Sequence, residues 1–200
     1  DLPQLVPGLT FNPSGEAKLN SFNVRGVGTY ALTATLESSV GVAVDGVPLA
    51  RVGGSITDMV DVERVEVLKG PQGMLFGKNA TAGLISIVNR KPEIGHTGGA
   101  FNVEYGSFNE LNIDGVANMA LGDNAALRVS AWRYAHDGFI GGPDGQQYGQ
   151  KNSYGVRAGL AIEPTTGLSI TIMGQYDGRD ERSIANTQRL FTGTTPFGVI

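Results

Sequence analysis

Two patterns of apolar and polar positions divide this chain. Up to about residue 92 the apolar residues come in short runs cut by turn formers. Val40 to Asp45 is closed by the turn Asp45-Gly46-Val47-Pro48; Val62, Val65, Val67 and Leu68 halt at Gly70-Pro71; Leu84, Ile85, Ile87 and Val88 end near Asn89. Runs of this length, rich in β-branched residues and bounded by Gly, Pro and Asp, predict short strands. The stretch from Asp61 to Pro92, DVERVEVLKGPQGMLFGKNATAGLISIVNRKP, therefore reads as strand, glycine-rich turn, strand. Pro71 fixes φ at that turn and Gly70 supplies conformations that other residues avoid. Residues 1 to 20, with Pro3, Pro7, Gly8, Pro13 and Gly15, predict mostly loop, and Ser55 to Asp61 predicts a short helix with Ser55 as N-cap.

Beyond Pro92 the pattern changes to strict alternation, which marks strands with two unlike faces. Phe101, Val103 and Tyr105 alternate with Asn102 and Glu104; Leu111, Ile113, Ala117 and Met119 with Asn112, Asp114 and Asn118. Leu127, Val129 and Ala131 oppose Arg128, Ser130 and Trp132, and Leu160 and Ile162 oppose Arg157 and Glu163. Ile170, Ile172 and Tyr176 oppose Thr171, Gln175 and Asp177, which completes five predicted strands. A boundary between two domains falls near residues 93 to 98. Gly122 to Asn124 and Pro164 to Gly167 predict tight turns, whereas residues 136 to 151 predict a long loop, and Tyr105, Tyr134, Tyr154 and Tyr176 fall at one end of their strands. A β-sandwich alternates in the same way; the unequal loops and the clustered tyrosines favour strands of an outer-membrane barrel, apolar outside and polar inside.

Composition narrows the function classes. Glycine supplies 30 of 200 residues, about twice its usual share of roughly 7%, with no collagen-like period. The net charge of −4 and the lack of a basic stripe argue against nucleic-acid binding. Without cysteine, and with His96 and His136 far apart, neither a disulfide nor a metal site is expected. No apolar run reaches the roughly 18 residues of a transmembrane helix, so strands are the one membrane-spanning route left. The chain opens on Asp1-Leu2-Pro3 without a signal peptide, which reads as a truncated start.

Two motifs invite an enzymatic reading. Gly26-Val27-Gly28-Thr29-Tyr30-Ala31 has G-x-G-x-x-A spacing with Asp45 about 20 residues on, but Asn23 and Arg25 interrupt a strand that a dinucleotide fold would bury on both faces. Gly73 to Asn79 has only three residues between its glycines and lacks the Ser or Thr of a P-loop. The acidic stretch Asp177 to Glu181 fits no calcium loop and reads as solvated. No catalytic set emerges and no cofactor is expected.

Glu63 to Val88 resembles E-R-V-E-V-L-[RK]-G-P-x-x-x-L-[YF]-G-x-x-A-x-x-G-x-I-x-I-V, the plug signature of the TonB-dependent outer-membrane receptors. Phe22-Asn23-Val24-Arg25-Gly26 is similar to that family's Arg-Gly motif, and Val42 to Pro48 to its V-x-V-D-G-V-P element. The resemblance implies an α+β plug at residues 1–92, truncated at its N-terminus, followed at 93–200 by the first five antiparallel strands of an incomplete transmembrane β-barrel of about 22 strands. It implies a non-enzymatic transporter in the Gram-negative outer membrane, monomeric at full length and surrounded by lipid. Such a receptor takes up a small extracellular ligand, a ferric siderophore or other iron complex first, cobalamin or an oligosaccharide next. Energy comes through TonB, with ExbB and ExbD, which contacts a TonB box upstream of the plug. A passive pore or adhesin of the same architecture is the alternative, a dinucleotide enzyme a remote one. By the same resemblance Gly26, Gly70, Pro71, Gly77 and Gly83 build the plug turns, and Tyr30, Ala31, Leu32, Arg51, Val52 and Gly53 form the apices facing the ligand. Arg25 and Lys69 occupy positions where the family places basic residues paired with barrel glutamates, here beyond residue 200. Lys69 stands where Arg is commoner and lacks its bidentate geometry. Ordinary surface charges are the alternative for both.

Overall fold

The computed structural model describes residues 4, 6–12, 20–29, 38–49, 58–76, 79–142 and 145–181. Its N-terminal part contains two small sheets. In the first, β1 (Leu9–Asn12), β2 (Ser21–Val24) and β3 (Val27–Gly28) run antiparallel in that order. β1 corrects the expectation of a loop: its four residues are too short a run to stand out among prolines and glycines. Pairing decides it, with Phe11 opposite Phe22 at 5.1 Å between ring centroids and Leu9 buried opposite Val24.

The second sheet holds β4 (Val40–Val44), β5 (Val47–Pro48), β6 (Val62–Lys69) and β7 (Gly83–Asn89) in the order β5-β4-β7-β6, with a single helical turn, α1 (Gly73–Phe76), between the last two. β4 and β7 run parallel and β6 antiparallel to β7, so the two predicted strands on either side of Gly70-Pro71 are neighbours. β4 and β7 are central and covered on both faces, and accordingly they read as continuous apolar runs. Leu9, Phe22 and Val24 of the first sheet pack on Val40, Val42, Ile85 and Ile87 of the second to form the core.

Two-residue hairpins connect β2 to β3 and β4 to β5. Arg25-Gly26 has φ of 54° and 78°, and Asp45-Gly46 of 50° and 82°. Positive φ at both central residues is what a type I′ turn demands. The first hairpin replaces the strand-to-helix crossover that a dinucleotide site needs, so the G-x-G-x-x-A spacing is coincidental. The expected helix at Ser55–Asp61 does not extend into its described part: Asp58 to Val60 is irregular, and its polar groups bond outward, as shown below.

After a linker at residues 90–97 the chain builds β8 (Gly98–Gly106), β9 (Glu110–Ala120), β10 (Ala125–His136), the small hairpin β11 (Ile140–Gly141) and β12 (Gln147–Tyr148), then β13 (Lys151–Thr165) and β14 (Leu168–Arg179). The five long strands form one antiparallel wall in the order β8-β9-β10-β13-β14. The long loop is therefore partly folded into the β11–β12 ribbon. Pro164 falls inside β13 and not in the turn, since a register irregularity between Ile162 and Thr165 absorbs it. No helix among the described residues is long and apolar enough to cross a membrane, which does not bear on strands.

The register assigns every wall residue to a face. Arg128, Ser130, Trp132 and Tyr134 share one face with Asn118, Asp114, Arg157 and Gln175, and this face meets the N-terminal sheets. Leu160, Ile162, Ile170 and Ile172 share the other, as the alternation predicts. Tyr105, Tyr154 and Tyr176 point outward at one end of the wall; Tyr134 shares their height but points inward, donating to Asp114 at 3.3 Å.

Gly155 shows why one inward position has no side chain. A Cβ there would lie 2.3 Å from the Trp132 ring, which spreads over the glycine of the neighbouring strand and is buried. Gly155→Ala is expected to destabilise the wall by about 1–3 kcal/mol, the usual cost of overpacking. Urea titration of folded protein in detergent checks this; an unchanged midpoint would show that the indole is free to move.

Candidate functional site

The polar interior of this protein lies where the wall meets the second small sheet. β10 directs Arg128 inward, where its Nε and Nη2 donate to the two carboxylate oxygens of Asp61 at 2.8 and 2.6 Å. Asp61 carries a positive φ of 56°, and its side chain is only 5% exposed, against 12% for that of Arg128. A fork-to-carboxylate pair out of water is a geometry that Arg serves and Lys does not.

Arg157 of β13 is also buried, and it reaches no carboxylate directly. It donates through Nη1 to the Asn89 side-chain oxygen and through Nη2 to the Val60 carbonyl. Asn89 in turn donates from its backbone N–H and from Nδ2 to the two oxygens of Asp45, each at 2.8 Å. The charge is thus relayed through an amide to the Asp45-Gly46 hairpin, and each buried polar group in the relay has a partner.

Asp58 closes the row. One oxygen accepts from Lys151 Nζ and Ser153 Oγ, both at 3.2 Å, and the other from Arg179 Nη2 at 2.6 Å. Farther along, Asn118 holds the linker: its side chain accepts from the Glu93 N–H at 3.0 Å and donates to the Glu93 and His96 carbonyls. Pro92 packs over Gly159, where a Cβ would sit 3.1 Å from its ring.

Arg25 and Lys69 belong to a different surface. Lys69 Nζ donates to the Pro7 carbonyl at 2.8 Å, and the Arg25 N–H donates to the Gly8 carbonyl at 2.7 Å. The fold therefore anchors both residues, exposed, to the Pro7-Gly8 bend, and among the described residues neither meets a carboxylate. Exposed Arg64 on β6 sits between Glu63 and Glu66, and its hydrogen bond to Glu66 holds its guanidinium above the usual pKa.

Gly26 completes the first hairpin; Gly70, with φ of 99°, ends β6 ahead of Pro71; Gly83 opens β7, where a Cβ would lie 2.7 Å from the Leu68 carbonyl. Gly77 and the six apex candidates Tyr30, Ala31, Leu32, Arg51, Val52 and Gly53 lie outside the described residues. No group of His, Cys, Asp or Glu among the described residues could hold a metal ion.

Sequence reasoning missed the row Asp45, Asp58, Asp61 and Asn89 against Arg128, Lys151, Arg157 and Arg179. A partial signal existed, since Arg128 and Arg157 occupy the polar side of their alternation. Nothing local, however, joins Arg128 to Asp61 across 67 positions or Arg157 to Val60 across 97. Chemically the row matches carboxylates and an amide to cations by direct hydrogen bonds; it is a junction that holds one unit against another.

Residues 1–84 match the family described as the TonB-dependent Receptor Plug Domain. The pesticin receptors of Yersinia pestis and Yersinia enterocolitica are each 38% identical over 92 residues, 46% of this chain and 13% of the receptor, so the chain spans only a small share of those relatives. Among solved structures, the ferric yersiniabactin uptake receptor FyuA from Yersinia pestis is similar over 88% of this chain and 28% of its own, with TM-score 0.74 and 26% identity. The pyoverdine outer membrane receptor FpvA from Pseudomonas aeruginosa gives 0.69 at 22% identity, covering 86% of this chain and 24% of its own, which bears on the fold alone.

Proposed function

Given that this chain is part of a TonB-dependent receptor, a plug domain followed by β-strands of the receptor wall and not an enzyme, we propose that the whole protein carries out energised uptake of a scarce ligand across the Gram-negative outer membrane. Ferric siderophores are the favoured ligand class, because the similar FyuA of Yersinia pestis is a ferric yersiniabactin uptake receptor. Cobalamin or an oligosaccharide comes next. The proposed partners are TonB with ExbB and ExbD on the periplasmic side, lipid around the wall, and the ligand outside; the full-length receptor is proposed to be a monomer. In this reading the plug occupies residues 1–92 and the barrel begins at 93, and Tyr30 to Leu32 and Arg51 to Gly53 are the ligand-facing apices.

The observation that carries the proposal is the asymmetry of the plug's charges. Asp58 and Asp61 face wall cations in a largely buried row, whereas Arg25 and Lys69 are held at an exposed bend on another surface. Cations there are available to carboxylates elsewhere in a barrel. A pair formed at such a boundary is costly to bury unless matched, and can be exchanged when the plug rearranges.

The test is Arg25→Ala in the full-length receptor. Energised uptake of a ferric siderophore is expected to fall at least several-fold, or large antibiotics to leak in, while ligand binding changes little. Normal uptake together with normal antibiotic exclusion would remove Arg25 from the gating interface. Uptake that persists in a TonB-deficient strain would favour a passive pore.

A further inference from the structure

The lipid-facing side of the wall carries one charge. Between Phe101 on β8 and Tyr176 on β14 every outward position is apolar, glycine or tyrosine, apart from Arg133, Asn152 and, beside the turn at the far end, Thr165. Arg133 is exposed, opposite Ile113 of β9 and Tyr154 of β13, and it makes no hydrogen bond or ion pair among the described residues. Asn152 lies diagonally beside it, its side-chain oxygen buried without a partner. β10 is the middle strand of the five, so the wall on both sides of Arg133 is present and supplies no carboxylate.

Height matters as much as face. The Arg133 row lies between the row of outward Tyr105, which reaches Ala135 through Leu111, and the row of outward Tyr176, which reaches Ala131 through Val156. Outward tyrosines mark the boundary between hydrocarbon and headgroups. They are also at the end of the wall opposite the linker at residues 90–97 and the tight turns at 121–124 and 166–167, which is the extracellular end. A cation in the hydrocarbon would be excluded; a cation at this height meets the headgroup layer, where the anions are phosphates.

Resting on the outer-membrane reading above, we propose that Arg133 binds a phosphate of an anionic lipid in the extracellular leaflet, making this patch of β10 a lipid-headgroup site. The guanidinium presents parallel N–H donors that match phosphate oxygens, and Tyr154 leans away over Gly178, where a Cβ would fall 2.6 Å from its ring and hydroxyl. That leaves the side of Tyr154 facing β10 open to the headgroup. The rival is a side chain that only extends its charge into water.

The experiment uses the full-length receptor in detergent with bis-phosphorylated lipid A as probe, counting retained lipid by native mass spectrometry. Wild type is expected to retain lipid A in preference to phosphatidylcholine, Arg133→Gln to retain about tenfold less, the loss of one charge-assisted contact, and Arg133→Lys to fall between. Heat-modifiable gel mobility verifies that each variant is folded. Equal retention by wild type and Arg133→Gln would overturn the proposal, as would displacement of lipid A by millimolar inorganic phosphate with no preference for the lipid. Failure of the outer-membrane reading itself would look different, since the receptor would then not fractionate with outer membranes whatever residue stands at 133.

Discussion

Arg157→Ala in the full-length receptor is expected to loosen the plug from the wall and let bulky antibiotics through. The substitution leaves the Asn89 side-chain oxygen and the Val60 carbonyl buried without a donor, and removes the cation that the Asp45–Asn89 relay serves. Each orphaned buried acceptor costs about 1–3 kcal/mol, and breaking a buried charge network costs about 3–5. A loss of about 3 kcal/mol lowers the ratio of seated to unseated plug by roughly a hundredfold. Sensitivity to a large glycopeptide, which intact outer membranes exclude, reports this directly. A double-mutant cycle at Arg128 and Asp61 checks the same junction independently: those side chains share two hydrogen bonds and should show a coupling above about 1 kcal/mol. Unaltered antibiotic exclusion in Arg157→Ala, with no coupling in the cycle, would mean that the row does not hold the plug.

Residues 1–200 expressed alone should associate in the absence of detergent and should not transport. Among the described residues the wall ends at β8 on one side and β14 on the other, so two sheet edges offer unpaired backbone groups. In lipid each such group costs several kcal/mol, and in water free edges template pairing with other copies. The outward face adds an apolar surface, with Phe101 85%, Ile172 62% and Tyr176 66% exposed. Size-exclusion chromatography with light scattering decides the matter. A stable, detergent-free monomer would show that the outward face is not built for lipid.

The plug strands were legible because β4 and β7 are buried on both faces and therefore uniformly apolar, and because Gly70-Pro71 and Asp45-Gly46 stop the chain with turn chemistry that needs no distant partner. The wall was legible for the complementary reason: an environment apolar on one side and polar on the other imposes alternation, and β10, β13 and β14 keep it for most of their length. Those features are local, and one sequence by itself determines them. Tertiary structure alone decided that β1 is a strand, since only Phe22 and Val24 opposite make it one. It decided that Asp58 to Val60 is not helical, because Asp58 accepts from Lys151, Ser153 and Arg179, and the Val60 carbonyl from Arg157. It also decided that Lys69 and Arg25 are both anchored to the Pro7-Gly8 bend. Each of these depends on a partner beyond the local window of sequence, and a side chain's own sequence neighbourhood carries its period and propensity but not the identity of what it will touch.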